Sequence, residues 1–146
     1  MSSIITYITI AILLTLPLTQ GIGRTQAAGA KGYLTCNGRP ASGVRVKMYD
    51  DDSGIDTDDF MAETTTDSSG YFSLSGTKSE LLTIDAKINI YHNCNDNVIQ
   101  KLCNRKFTMW IPDSYINSGT SVSKYYDIGK IELAGKISGE SRDCIN

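Results

Sequence analysis

The residues able to do chemistry fall in two stretches. Ile88 to Ile111 (INIYHNCNDNVIQKLCNRKFTMWI) holds the only histidine, His92, the only tryptophan, Trp110, and two of the four cysteines, Cys94 and Cys103. Asp50 to Asp59 (DDDSGIDTDD) carries six carboxylates. A histidine beside cysteines invites a zinc site or an activated nucleophile, and clustered carboxylates invite calcium. The spacings disfavour all three. Cys36, Cys94, Cys103 and Cys144 form no C-x-x-C, and His92 stands alone in H-x-C, whereas a structural zinc site takes its Cys and His ligands in closely spaced pairs. A triad needs a base within reach of its nucleophile and a third group to orient it, and no G-x-S-x-G turn is present.

The acidic stretch fails as an EF-hand in both frames. Counted from Asp50, Gly54 falls where the third ligand belongs, and counted from Asp56, Phe60 does. The stretch reads as a solvated loop at a sandwich edge, with Asp50, Asp51, Asp52, Asp56, Asp58 and Asp59 as the calcium alternative. A loop of this kind is a poor place to hold two carboxyls in the fixed geometry that hydrolysis requires. No enzyme activity, cofactor or resident metal is expected.

Four cysteines suit an oxidising compartment and two disulfides. Residues 4–18 are mostly apolar, too short to span a bilayer, and followed by small residues, the pattern of a secretory signal peptide over residues 1–21 with cleavage near Gly21 or Gly23. Residues 22–146 then form one domain, expected to be secreted, and no later stretch could cross a membrane as a helix. The net charge of −2 offers no long-range attraction to nucleic acid or anionic lipid. Four cysteines permit three pairings. Only eight residues separate Cys94 from Cys103, which favours that bridge and leaves Cys36–Cys144 to tie the first strand to the C-terminal tail.

The elements that must position these residues read as strands. Lys31–Asn37 comes first, followed by an Asn37-Gly38-Arg39-Pro40 turn. Val44–Tyr49 alternates with Val44, Val46 and Met48 on one face. Phe60–Thr66 and Tyr71–Ser75 flank an Asp67–Gly70 turn as a hairpin, and the Thr77/Glu80 spacing allows one helical turn after it. Leu82–Tyr91 alternates again, with Leu82, Ile84, Ala86, Ile88 and Ile90 inward. Arg105–Ile111 places Phe107, Met109 and Ile111 inward and Lys106, Thr108 and Trp110 outward. Lys124–Leu133 is the last strand, with a bulge expected at Gly129 so that Ile128, Ile131 and Leu133 all turn inward. Seven strands and no convincing helix make an all-β sandwich.

Colinear motifs then carry a resemblance. They run Gly32-x-Leu34-x-Cys36-x-Gly38-x-Pro40, Val44-x-Val46-x-Met48-Tyr49-Asp50-x-Asp52, Asp58-Asp59-Phe60, Thr66-Asp67-x-x-Gly70-x-Phe72-x-Leu74-x-Gly76 and Ile90-x-His92-x-Cys94. Cys103-x-Arg105-Lys106, Ile111-Pro112-x-x-Tyr115 and Tyr126-Asp127-Ile128-Gly129-x-Ile131-x-Leu133 complete the order. This resembles the nematode transthyretin-like family over essentially the whole chain after the leader. The resemblance implies a secreted, disulfide-stapled, seven-stranded transthyretin-like sandwich, open-barrel-like, with extracellular or cell-surface roles. The related hydroxyisourate hydrolases use two histidines, an arginine and a C-terminal Tyr-Arg-Gly-Ser. This chain has one histidine and ends Ser141-Arg142-Asp143-Cys144-Ile145-Asn146, so that activity is not expected.

A binding role remains. The first expectation is an extracellular adaptor that meets an extracellular or cell-surface protein through Val98, Ile99 and Lys101 of the Cys94–Cys103 loop, with Arg105 and Lys106 beside it; a restrained loop binds at lower entropic cost. The basic residues could also meet a lipid headgroup. The alternative is a carrier of a lipid or small hydrophobic ligand in the apolar interior.

Overall fold

The computed structural model describes residues 23–52 and 57–145; the leader expected over residues 1–21 and Asp56 of the acidic loop lie outside them. Among the described residues ten strands, several very short, form two sheets. They are β1 (Arg24–Cys36), β2 (Arg39–Pro40), β3 (Arg45–Asp50), β4 (Asp59–Thr65), β5 (Tyr71–Glu80), β6 (Ala86–His92), β7 (Asn104–Trp110), β8 (Asn117–Ser118), β9 (Tyr126–Glu132) and β10 (Ser141–Asp143). In the first sheet β1 pairs antiparallel with β2, β5 and β8 and parallel with β9. The second sheet has the order β10-β7-β6-β3-β4, antiparallel throughout. The all-β sandwich read from the sequence is the observed fold.

The core lies between the sheets. Ala28, Ala30, Leu34, Phe72 and Leu74 come from the first sheet; Val46, Met48, Ile88, Ile90 and Phe107 come from the second, and Leu133 closes one end. The alternation in β3, β6 and β7 is the pattern that places these side chains on one face.

Differences from the expected strands have local causes. β1 begins at Arg24 rather than Lys31, because the Ala27–Ala30 run already pairs with Thr77–Leu74 of β5. Its small side chains are required: a Cβ on Gly29 would meet the Tyr125 ring at 2.8 Å and Val122 at 2.9 Å, so this stretch is covered on its outer side as well as its inner one. The helical turn considered at residues 77–82 is absent, since β5 continues to Glu80 along the ten-residue register with β1. Leu82 is not inward but 79% exposed. Here the side chain of Gln26 replaces ladder partners, donating from Nε2 to the Leu82 carbonyl (2.7 Å) and accepting from the Ile84 amide (3.2 Å). β6 therefore starts only at Ala86. The bulge at Gly129 is present, with φ +70° and a register shift against β1. β8 and β10 had no strand signal.

The disulfide pairing corrects the expectation from spacing. The bridges are Cys36–Cys94 and Cys103–Cys144. Cys94 is buried and reaches across to the end of β1, joining the two sheets, whereas Cys103 leads outward to the C-terminal strand. The excursion between Cys94 and Cys103 needs no bridge of its own, because hydrogen bonds close it: Asp96 amide to Asn93 carbonyl (3.0 Å), and Asn97 with Gln100 in a reciprocal pair (3.0 and 2.9 Å). With separations of 58 and 41 residues, each bridge removes enough unfolded-chain entropy to contribute about 4 kcal/mol. Proteolysis without reduction is expected to release one linked peptide pair joining Cys36 to Cys94 and another joining Cys103 to Cys144. Recovery of a Cys94–Cys103 pair would contradict this topology.

Candidate functional site

The chemistry-bearing residues of the sequence are distributed over two ends of the sandwich. At one end β6 and β7 deliver His92 and Arg105 as directly paired neighbours, both facing inward and both buried, at 4% and 6% exposure. His92 Nδ1 accepts the amide hydrogen of Cys94 (3.2 Å), and the ring stands edge-on to Phe107 at 6.1 Å. Burial and the nearby Arg105 cation push its pKa down to about 4, so the imidazole is neutral at physiological pH. Among the described residues no hydroxyl or carboxylate hydrogen-bonds to it, and all four cysteines are in disulfides. The histidine therefore has neither nucleophile nor orienting acid.

Arg105 is a structural hub rather than a free cation. Its Nε and Nη2 bond both oxygens of Glu140 (3.0 and 2.8 Å), Nη1 donates to the carbonyls of Cys94 (3.2 Å) and Leu133 (3.1 Å), and Nη2 also donates to that of Gly135. Such a bidentate, charge-assisted arrangement is the strong form of the Arg–carboxylate pair. Of the five residues expected at the partner-binding loop, Arg105 is thus committed to the interior. Lys106 is half-buried and lies 3.6 Å from Asp143. Val98 and Ile99 are exposed at 85% and 77%, Leu102 joins them at 76%, and Lys101 is exposed beside them.

The loop carrying these side chains is held from below. Arg142 bonds both oxygens of Asp96 (2.6 and 2.8 Å) and the Cys103 carbonyl (3.1 Å), which keeps the Asp96 carboxyl below its usual range. The Cys103–Cys144 bridge fixes the same strand, β10, to the loop. Asp96, Glu140 and Arg142 carry no motif in the sequence.

At the other end the acidic residues divide their roles. Asp51 and Asp58 both bind the ammonium of Lys87, and Asp59 binds Lys78; these hydrogen bonds hold the carboxyls of Asp51 and Asp59 low. Lys87 is only 8% exposed and lies 5.1 Å from the centroid of the Trp110 ring. Asp50 is buried and accepts the Asp85 amide hydrogen (2.8 Å). Among the described residues of the calcium set, Asp50 and Asp52 fall in one carboxylate group within 4.8 Å, and its third member is Glu80 of β5, not a residue of the loop. Burial raises the carboxyls of both aspartates.

Residues 31–112 match the model of the transthyretin-like family. The chain belongs to this family. Transthyretin-like protein 5 of Caenorhabditis elegans is 57% identical over 125 residues, covering 86% of this chain and 88% of its own. Transthyretin-like protein 33 of the same nematode is 48% identical over 122 residues, covering 84% of each. Among solved structures, a 9R-lipoxygenase of Cyanothece aligns with 82% of this chain and 17% of its own at 17% identity and a TM-score of 0.37, too loose a likeness to bear on function. Among the described residues no helix is long and apolar enough to cross a membrane.

The neutral, buried imidazole gives a pH signature. Unfolded, His92 titrates near 6.5, and folded, near 4; between these values the unfolded chain takes up the proton and the folded one does not, so stability falls with falling pH. Asp50 and Asp52 shift the other way, so the comparison with His92→Phe isolates the effect. The melting temperature of the native protein, relative to that variant, should fall between pH 6.5 and 4.5. A difference independent of pH would show that His92 is not buried neutral.

Proposed function

We propose that this transthyretin-like protein is a secreted, non-enzymatic binding protein that engages an extracellular or cell-surface protein through the loop between Cys94 and Cys103. One observation carries the reading: a short loop fixed by the Asp96–Arg142 fork, the Asn97–Gln100 pair and a disulfide displays Val98, Ile99 and Leu102 to solvent at 76–85% exposure. Holding three large aliphatic side chains rigidly in water has no benefit to the fold, which gains nothing from their contact area. For a partner, the same rigidity means little ordering entropy is lost on binding.

Secretion is supported by the apolar N-terminal stretch and by the absence of free thiols among the described cysteines. The non-enzymatic reading is supported by the commitment of His92 and Arg105 to the interior. Because Arg105 is a structural residue, the test substitutes only the displayed side chains.

The variant Val98→Ser/Ile99→Ser/Lys101→Glu should keep its disulfide map and a stability within about 0.5 kcal/mol of the parent, as surface changes do. It should lose chemical crosslinking to a nematode extracellular and cell-surface protein fraction, read by mass spectrometry of the crosslinked species. Crosslinking that survives the triple change would overturn the assignment of this loop.

A further inference from the structure

The outer face of the first sheet carries a cleft whose residues strand parity and register bring together. Tyr33 of β1 lies between buried Gly32 and buried Leu34 and so points away from the core. It pairs with Tyr71 of β5 on one side and with Lys130 of β9 on the other. Two residues along the same face, Thr35 pairs with Pro40 of β2. Tyr33, Thr35, Pro40 and Lys130 line a cleft of about 320 Å³ together with Gly38 of the β1–β2 turn and Ser69 of the turn before β5.

The chemistry of this cleft is an aromatic ring beside a hydroxyl and a cation. Tyr33 is 45% exposed. Its ring packs against that of Tyr71, with centroids 5.0 Å apart and planes tilted by 51°, a contact that holds it in one orientation. Among the described residues the Ser69 hydroxyl and the Lys130 ammonium have no partner within the chain. The neighbouring Glu132 carboxylate is taken up by the amides of Asn37, Gly38 and Ala134 and by the Thr35 hydroxyl, so Lys130 is the unpaired charge of the cleft. A pyranose matches these groups. Its flat C–H face packs on the electron-rich face of an aromatic ring, its hydroxyls surround that face, and an anionic substituent gains a charge-assisted hydrogen bond from an ammonium. A hydrocarbon chain would find no enclosed apolar lining here, and a bare inorganic anion would leave the ring unused.

We propose that this cleft binds a pyranose that carries an anionic group, its ring stacked on Tyr33, a hydroxyl on Ser69 and its anion on Lys130. The site goes beyond the loop reading and shares none of its residues, so failure of one leaves the other standing.

The test titrates the disulfide-intact protein, labelled with nitrogen-15, with methyl glucuronide as the probe and methyl glucoside as the uncharged control, both at tens of millimolar and pH 7. Glucuronide should shift the Gly38 and Ser69 amide resonances saturably, and glucoside should bind more weakly. Tyr33→Ala should weaken glucuronide at least about tenfold, one decade in Kd. Lys130→Gln, at an exposed position, should reduce glucuronide to the level of glucoside without changing the melting temperature, and it keeps the test decisive if Tyr33→Ala folds poorly. No saturable shift with glucuronide would overturn the proposal. So would equal affinity for the two glycosides, or unchanged affinity in either folded variant.

Discussion

The buried guanidinium of Arg105 is the interaction on which this end of the molecule depends. Three separate pieces of chain converge on it: the Cys94 turn after β6, the exit of β9 at Leu133 and Gly135, and Glu140 just before β10. A buried ion pair adds little net stability by itself, because desolvation offsets most of the attraction, but removing one partner leaves the other charge stranded and is costly. Arg105 therefore acts as a specificity device that locks irregular backbone into one arrangement.

The two disulfides extend that arrangement in opposite directions. Cys36–Cys94 joins the sheets beneath the Arg105 cluster, and Cys103–Cys144 ties β10 to the outer loop above it. A carboxylate clamp closes the neighbouring turn as well. Glu132 accepts from the amides of Asn37, Gly38 and Ala134, and those of Gly38 and Ala134 lead in holding its carboxyl down at about 2. The loop that presents Val98, Ile99 and Leu102 thus rises from a base rigid on every side.

Much of this was legible in the sequence, and the failures share one physical origin. Period-two alternation fixed the inward faces of β3, β6 and β7, because it reports burial of one face directly. The same alternation puts Lys87, Asn89 and Tyr91 on the opposite face of β6, and all three are buried there. β6 is the middle strand of its sheet, and its outer face is covered by neighbours such as Asp51, Asp58 and Trp110 around Lys87. Sequence separation misjudged the disulfides for a related reason: hydrogen bonds closed the short loop, and strand ends distant in sequence met in space. Arg105 read as an exposed cation because its partners, Glu140 and three carbonyls, have no sequence pattern pointing to it.

The account rests on Arg105 holding the end of the sandwich together, and native-state hydrogen exchange with denaturant unfolding on Arg105→Met measures this directly. The variant should lose about 3–5 kcal/mol of stability, with faster exchange concentrated in residues 133–143 while both disulfides remain intact. A loss below about 1 kcal/mol, with exchange in that segment unchanged, would contradict it.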